Sequence, residues 1–214
     1  MGCGLTAEPS VFYRTVRGLF RLLAVPLFRF RVEGVESLPA EGPGVVVAAH
    51  RSWLDPACVG GACPRPVRFL IMDTVYRRIW ARWFYERMSG IPVRVGGGVE
   101  TLLGLRGALR ALRAGELVGV FPEGRVMPEG PLQPLHAGAA LLSVRGRAPV
   151  IPIFIRGSAK AWPRGRRYPW PAPVSVHVGR PIPPPSEPGR DAVDRLLVRI
   201  EAALNALSTS VEER

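Results

Sequence analysis

Short apolar runs alternating with longer segments of helical period predict an α/β fold for this 214-residue chain. The expected architecture is one domain with a mostly parallel central sheet flanked by helices, preceded by an N-terminal amphipathic, membrane-associating helix. Three observations carry this expectation. Runs at 45–49, 67–72, 117–121 and 149–155 are short and apolar, as in buried strands. Amphipathic segments separate them, the clearest at 100–114 with Leu102, Leu105, Leu109 and Leu112. No linker is long enough to divide the chain, and with 47% apolar residues it can bury a real core.

The elements follow in order. Within 10–31, Phe12, Val16, Leu19 and Leu23 recur at helical spacing, with Arg14, Arg17 and Arg21 on another face and Pro26 expected to end or kink the helix. Such a segment fits a helix lying in the lipid headgroup plane, and equally an ordinary helix capping the core. Residues 45–49 form a strand and 52–60 a helix. A strand at 67–72 precedes an aromatic helix at 75–88, a short strand at 91–95 and a glycine loop at 96–98. The helix at 100–114 stops at Gly115. Strands at 117–121, 149–155 and 174–178, helices at 137–144 and 191–207, and a Pro/Arg/Trp surface loop at 162–173 complete the chain. The expected division is an N-terminal helix region at 1–31, a main domain at 32–182, and a C-terminal helix at 183–214 packed on that domain.

Charge narrows the partners. The formal net charge of +12 is carried almost wholly by arginine, Lys160 being the only lysine. Arginine suits phosphate and carboxylate, which favours anionic lipids, phosphorylated substrates or nucleic acid, although a GC-rich genome also enriches arginine. The stretch 75–85 interleaves aromatics with arginines, as at a membrane interface; the same mixture stacks bases in single-stranded nucleic acid. No recognisable nucleic-acid module accompanies it, so nucleic acid is not an expected partner. Cys3, Cys58 and Cys63 are too few for a disulfide framework and indicate a reducing compartment. Their spacing with His50 matches no standard zinc pattern, so no metal is expected. Arginines interrupt the N-terminal apolar stretch before it reaches a membrane-spanning length of ~18–20 residues, and no signal-cleavage pattern follows it. Residues 1–6 match a myristoylation pattern, which has meaning only in a eukaryotic cell.

Chemistry concentrates where two strands end. His50 follows the run at 45–49, and Asp55 lies five residues on. On one continuous helix these two would point roughly 140° apart, at ~100° per residue. With His50 in the strand-to-helix turn and Ser52 capping the helix, Asp55 falls in the first turn and faces back to the imidazole; Ser52–Asp55 fits a capping box, and Pro56 is tolerated there. A carboxylate on one ring nitrogen fixes the tautomer and raises the basicity of the other. Asp55 as a plain helix cap remains the competing explanation. Downstream, Pro122 ends the run at 117–121 and leaves Glu123, Gly124 and Arg125 in a turn. In a parallel sheet His50, Glu123 and Arg156 would share the carboxyl-end rim, where such folds place ligands.

At these residues the chain resembles the glycerolipid acyltransferase family typified by 1-acyl-sn-glycerol-3-phosphate acyltransferase. The first family block, His-x-x-x-x-Asp, matches His50 to Asp55 with Ser52 at its frequent third position. The block Phe-Pro-Glu-Gly-Thr-Arg matches Phe121 to Gly124, and a Val-Pro-Val strand ending in Arg-Gly is similar to 150–157. Two departures stand out. The arginine after Glu-Gly is displaced to Arg125, and the second block supplies Arg94 without the usual Asp-Arg pair.

The resemblance implies that His50 is the general base on a lysolipid hydroxyl, oriented by Asp55, with attack on an acyl thioester and no covalent acyl-enzyme. No Gly-x-Ser-x-Gly elbow is present to supply a serine nucleophile. It further implies that Glu123, Gly124, Arg125 and Arg94 position the acceptor's phosphate. The co-substrate is acyl-CoA or acyl carrier protein, with no cofactor besides. The acceptor is lysophosphatidic acid-like, with a lyso-ornithine lipid or another lysophospholipid as alternatives, in phospholipid biosynthesis. The expected location is peripheral, on anionic lipid at the cytoplasmic face of the cell membrane. The alternatives in other classes are a non-catalytic lipid-binding member of the fold and a nucleic-acid binder.

Overall fold

The computed structural model describes residues 10–94 and 99–212. The segments at 1–6 and 96–98 singled out above lie outside them. The chain opens with helix α1 (Val11–Phe28), followed by the short edge strand β1 (Arg31–Glu33) and a single 3₁₀ turn, Val35–Ser37. Strand β2 (Gly44–Ala48) is buried along its whole length, and its side chains alternate between two cores. Val46 and Ala48 join one with helix α2 (Asp55–Ala62), while Val45 and Val47 join the other.

Beyond α2 come β3 (Val67–Met72), the short helix α3 (Asp73–Tyr76), α4 (Ile79–Arg87), β4 (Ile91–Val93), α5 (Val99–Arg113) and β5 (Leu117–Val120). The final third holds α6 (Gly138–Gly146), β6 (Val150–Arg156), the short α7 (Ser158–Ala161), β7 (Ser175–Val178) and the long α8 (Arg190–Glu212). The sheet runs β1-β7-β6-β2-β5-β3-β4. Its five-strand centre and far edge, β6-β2-β5-β3-β4, are parallel; β7 runs antiparallel to β6, and β1 is parallel to β7. This is the mostly parallel α/β sheet that the apolar runs predict, with helices over both faces.

Several details differ from expectation. Pro26 lies inside α1, which continues to Phe28 before Arg29 turns left-handed at φ 44°. So close to the end, the missing N–H costs one bond and does not stop the helix. The aromatic helix expected at 75–88 is two pieces, broken between α3 and α4 at Arg77-Arg78. Strand β1 and helix α7 are too short, at three and four residues, to leave a periodic signal. Helix α8 runs more than one turn past residue 207, and it packs on β6 and α6.

Helix α1 is fastened by its inner face. Tyr13 is buried, and its hydroxyl accepts the Val67 N–H at 3.3 Å. Phe20 stacks edge-on against Phe30, and a β-carbon at Gly61 would come within 2.6 Å of Phe20, so glycine there permits the approach of α1 to α2. The outer face carries exposed Val11, Leu19, Leu22, Leu23, Val25 and Leu27. No helix among the described residues is long and apolar enough to cross a membrane.

Candidate active site

The carboxyl ends of β6, β2, β5, β3 and β4 share one rim, because those strands are parallel. His50 follows the end of β2 by two residues, and Glu123 follows the end of the neighbouring β5 by three. The imidazole Nδ1 lies 3.0 Å from Asp55 Oδ2. That oxygen also accepts the backbone N–H groups of Arg51 and Ser52, each at 2.7 Å. It is therefore an acceptor, which assigns the ring proton to Nδ1 and leaves Nε2 with a lone pair. Nε2 has no protein partner among the described residues. Asp55 itself is fully buried, and its other oxygen, Oδ1, has no hydrogen-bond partner among the described residues.

The capping box forms only in part. Helix α2 begins at Asp55, so Asp55 sits in the first turn as expected, but Ser52 is not the N-cap. The Asp55 carboxylate reaches back to the Ser52 N–H as a box requires. The Ser52 hydroxyl instead accepts the Leu54 N–H at 3.0 Å and donates to the Trp162 carbonyl at 2.7 Å. Ser52 therefore ties the turn to the segment following β6 and α7. Asp55 serves the backbone and the imidazole together, which merges the two explanations that the sequence leaves apart.

Glu123 does a different job from the one expected of it. Its side chain is fully buried, and Arg51 Nη1 donates to both carboxylate oxygens at 2.7 and 2.8 Å. Oε2 also accepts the His50 N–H at 2.9 Å, and Oε1 the Gln133 N–H at 3.1 Å. A carboxylate so enclosed does not face a phosphate; it fixes the backbone of His50. The Met127 N–H donates to the His50 carbonyl at 2.7 Å, so His50 is held on both sides of its Cα. The ring stacks on Phe121, with centroids 4.2 Å apart and planes 22° apart, and Phe121 stacks on Phe69.

The cations are more dispersed. Gly124 takes φ 71°, a left-handed conformation that favours glycine, and sets the exposed Arg125 beyond the buried Pro122 and Glu123. Arg125 makes no hydrogen bond or ion pair among the described residues. Arg94 lies past the end of β4, three strands from His50 and so about 14 Å away at the backbone. It pairs with Asp73 at 3.2 Å. A hydrogen bond from Arg77, with Arg94 adding to it, holds the Asp73 carboxyl below its usual range. Arg94 is thus set well along the rim from His50, whereas Arg125 lies two residues before Met127, whose N–H bonds the His50 carbonyl. Arg156 emerges on the rim, but Nη1 donates to the Val211 carbonyl of α8 at 2.9 Å.

Arg51 is the residue that sequence reasoning misses. Its only signal is its place beside His50, and its partner lies 72 positions away, in the turn that follows the adjacent strand β5. Nearby, burial pushes the Cys58 thiol well up, and Asp55 adds to the effect. Among the described residues no group of three His, Cys, Asp or Glu side chains is placed to hold a metal ion.

Residues 29–156 match the family model described as Acyltransferase, which takes in both His50–Asp55 and Phe121–Arg125. The chain belongs to the acyltransferase family. A 1-acyl-sn-glycerol-3-phosphate acyltransferase of Bacillus subtilis (strain 168) is 28% identical over 129 residues, covering 59% of this chain and 62% of that protein. The enzyme of the same name from Pseudomonas aeruginosa PAO1 is 26% identical over 175 residues, covering 81% of this chain and 66% of the relative. This acyltransferase-family chain therefore spans less than two thirds of the B. subtilis protein. The crystal structure of the 1-acyl-sn-glycerophosphate (LPA) acyltransferase PlsC from Thermotoga maritima superposes with a TM-score of 0.77 at 21% identity. That match covers 94% of this chain and 80% of the other, and it shows the shared fold.

Proposed function

We propose that this member of the acyltransferase family transfers a fatty acyl group from an acyl thioester to the free hydroxyl of a lysophosphatidic acid-like lysolipid. The observation that carries the proposal is the His50 imidazole at the sheet rim, with Nδ1 on Asp55 and Nε2 without a partner among the described residues. The names of the relatives from B. subtilis and P. aeruginosa support the choice of acceptor.

In the reaction Nε2 takes the proton of the acceptor hydroxyl, and the hydroxyl oxygen attacks the thioester carbonyl carbon. A carbon–oxygen bond forms, the carbon–sulfur bond breaks, and the departing thiolate receives the proton from the imidazolium. Asp55 stabilises that imidazolium by its hydrogen bond to Nδ1. General-base catalysis of this kind contributes about 10²–10⁴-fold. The Arg51–Glu123 pair acts indirectly, by fixing His50. Arg125, exposed beyond the turn, holds the acceptor's anionic headgroup, with Arg94 farther along the rim.

The lipid substrate is met at a membrane surface. The exposed apolar residues of α1 are interspersed with exposed Arg14, Arg21 and Arg29. Phe12 of α1 packs edge-on against Trp83 and Phe84 of α4, both of which are exposed, so the two helices offer one apolar and basic surface. Such a surface suits peripheral binding to anionic lipid at the cytoplasmic face.

The test is to incubate the purified full chain with an acyl-CoA and 1-acyl-sn-glycerol-3-phosphate in anionic vesicles, and to identify products by mass spectrometry. Diacylated phosphatidic acid with stoichiometric thiol release is the expected result. Product from another lysolipid alone would change the acceptor, and no acylated product from any lysolipid would overturn the proposal.

A further inference from the structure

A concave region lies on the α8 side of the sheet corner formed by β1, β7 and β6, with a volume of about 1180 Å³. Its floor is read from strand register. Arg31, Ser175 and Arg156 pair across the three strands in one row, and Glu33, His177 and Phe154 in the next. The alternating residues Val32, Val176 and Ile155 turn to the opposite face and join the core against α1 and α2. A sheet face covered by a helix is ordinarily apolar. Here α8 packs on β6, and the corner beyond it is floored by charged and hydroxyl groups.

The polar floor is ordered. His177 lies 2.8 Å from the Ser175 hydroxyl through Nε2 and 3.2 Å from Glu33 through Nδ1. Arg156 is anchored to the end of α8. Arg29, Arg31, Arg156 and Lys160 all line the cleft, against the carboxylates of Glu33 and Glu129. Arg31 and Arg156 stand two strand spacings apart, about 10 Å at the backbone. The cleft also shares Ala49 and Arg51 with the catalytic turn, so it meets the rim directly beside His50.

We infer that this cleft binds the phosphate-bearing nucleotide end of an acyl-coenzyme A donor. The assignment rests on the acyl-transfer reading given above. A single phosphate would not fill a space beyond the roughly 300–1,000 Å³ of ordinary small-molecule sites, nor need cations on two sides of it. A ligand with several phosphates and a base of apolar faces does both, because Leu204, Val174 and Phe154 add apolar lining. The pantetheine arm then passes over the rim at residues 49–51 and presents the thioester to His50. The Phe121 side of the imidazole, with Arg125, is left to the acceptor.

Lys160, the only lysine, makes the cleft separately addressable. Reductive methylation of the full chain, followed at Lys160 by mass spectrometry, should be slowed by coenzyme A and not by pantetheine or anionic vesicles. In steady-state assays Arg31→Ala and Lys160→Ala should each raise the KM for acyl-CoA about tenfold, the worth of one charge-assisted bond. The KM for the lysolipid and kcat should stay within about twofold on the same scale. The preference for acyl-CoA over acyl-pantetheine should fall correspondingly.

An unchanged KM for acyl-CoA, a rise in the lysolipid KM instead, or protection of Lys160 by vesicles and not by coenzyme A would each overturn the assignment. So would an acyl carrier protein donor that is preferred to acyl-CoA in the wild type and is insensitive to Arg31→Ala. Calorimetric titration with coenzyme A alone separates the two readings. Arg31-dependent binding without acyl transfer would support the cleft and defeat the proposed reaction; acyl transfer indifferent to both variants would defeat the cleft alone.

Discussion

Replacing Arg51 by methionine tests whether the catalytic turn depends on the buried ion pair with Glu123. Methionine keeps much of the side-chain volume and removes the guanidinium. Glu123, with a fully buried side chain, would then retain only the N–H donors of His50 and Gln133. Removing one partner of a buried pair costs about 3–5 kcal/mol, because the remaining charge is left uncompensated. The two surviving hydrogen bonds place this site near the lower end, at about 3 kcal/mol. For a domain of this size each kcal/mol lowers the melting temperature by about 2–4 °C, which predicts a fall of about 6–12 °C. Thermal unfolding followed by circular dichroism at fixed salt measures it. The companion Arg51→Met/Glu123→Gln variant removes the orphaned charge and should regain about half of the loss. An Arg51→Met melting temperature within about 2 °C of wild type would refute the reasoning, since that is less than the shift expected from 1 kcal/mol.

Other consequences follow from single residues. Asp55→Asn can still accept the Arg51 and Ser52 N–H groups but loses the charge facing the imidazolium, so kcat should fall about 10²–10⁴-fold with the far-ultraviolet dichroism unchanged. Burial pushes the Cys63 thiol up to about 12 and the Cys58 thiol up as well, so thiol reagents at pH 8 should label both far more slowly in the native protein than in denaturant. An unfolded cysteine ionises near pH 8.5, so across the window from there to about 12 the unfolded chain holds fewer protons; the Cys63 contribution to stability therefore declines as pH rises, and Cys63→Ala should flatten that decline in denaturant midpoints. Gly157 has φ 83°, and an added β-carbon would meet the Pro173 carbonyl oxygen at 2.1 Å, so Gly157→Ala should lower stability by at least about 1–3 kcal/mol in chemical denaturation.

Much of the scaffold was legible because buried parallel strands leave a simple mark. The runs that became β2, β3, β5 and β6 are apolar and bounded by turn residues, and their alternation with helices announces one sheet whose carboxyl ends share a rim. That logic places His50 and Glu123 on one rim of the sheet. It could not assign the role of Glu123. A glutamate in a Pro-Glu-Gly turn reads as a ligand group until the adjacency of β2 and β5 brings Arg51 within 2.7 Å of it. The same limit hid the cleft on the α8 side. Arg31, Ser175 and Arg156 are scattered through the sequence, and only the antiparallel insertion of β7 between β1 and β6 sets them in a row. Ser52 is not the cap because α2 starts at Asp55, and the Ser52 hydroxyl, accepting the Leu54 N–H, donates to the distant Trp162 carbonyl.

The division of labour at the rim follows. Asp55 and Glu123 each hold both the backbone around His50 and a cationic or imidazole partner, so catalytic placement and local folding are one network. In the proposed reaction, selection of the lipid headgroup would fall to the exposed Arg125, and binding of the donor to the cleft behind Arg51.

The most direct measurement is the rate of acyl transfer from acyl-CoA to 1-acyl-sn-glycerol-3-phosphate by purified His50→Ala, compared with wild type at equal folded concentration. Loss of at least about 10²-fold in kcat, with the melting temperature held, is the result expected of a general base at Nε2. Turnover close to wild type in the folded variant would contradict it.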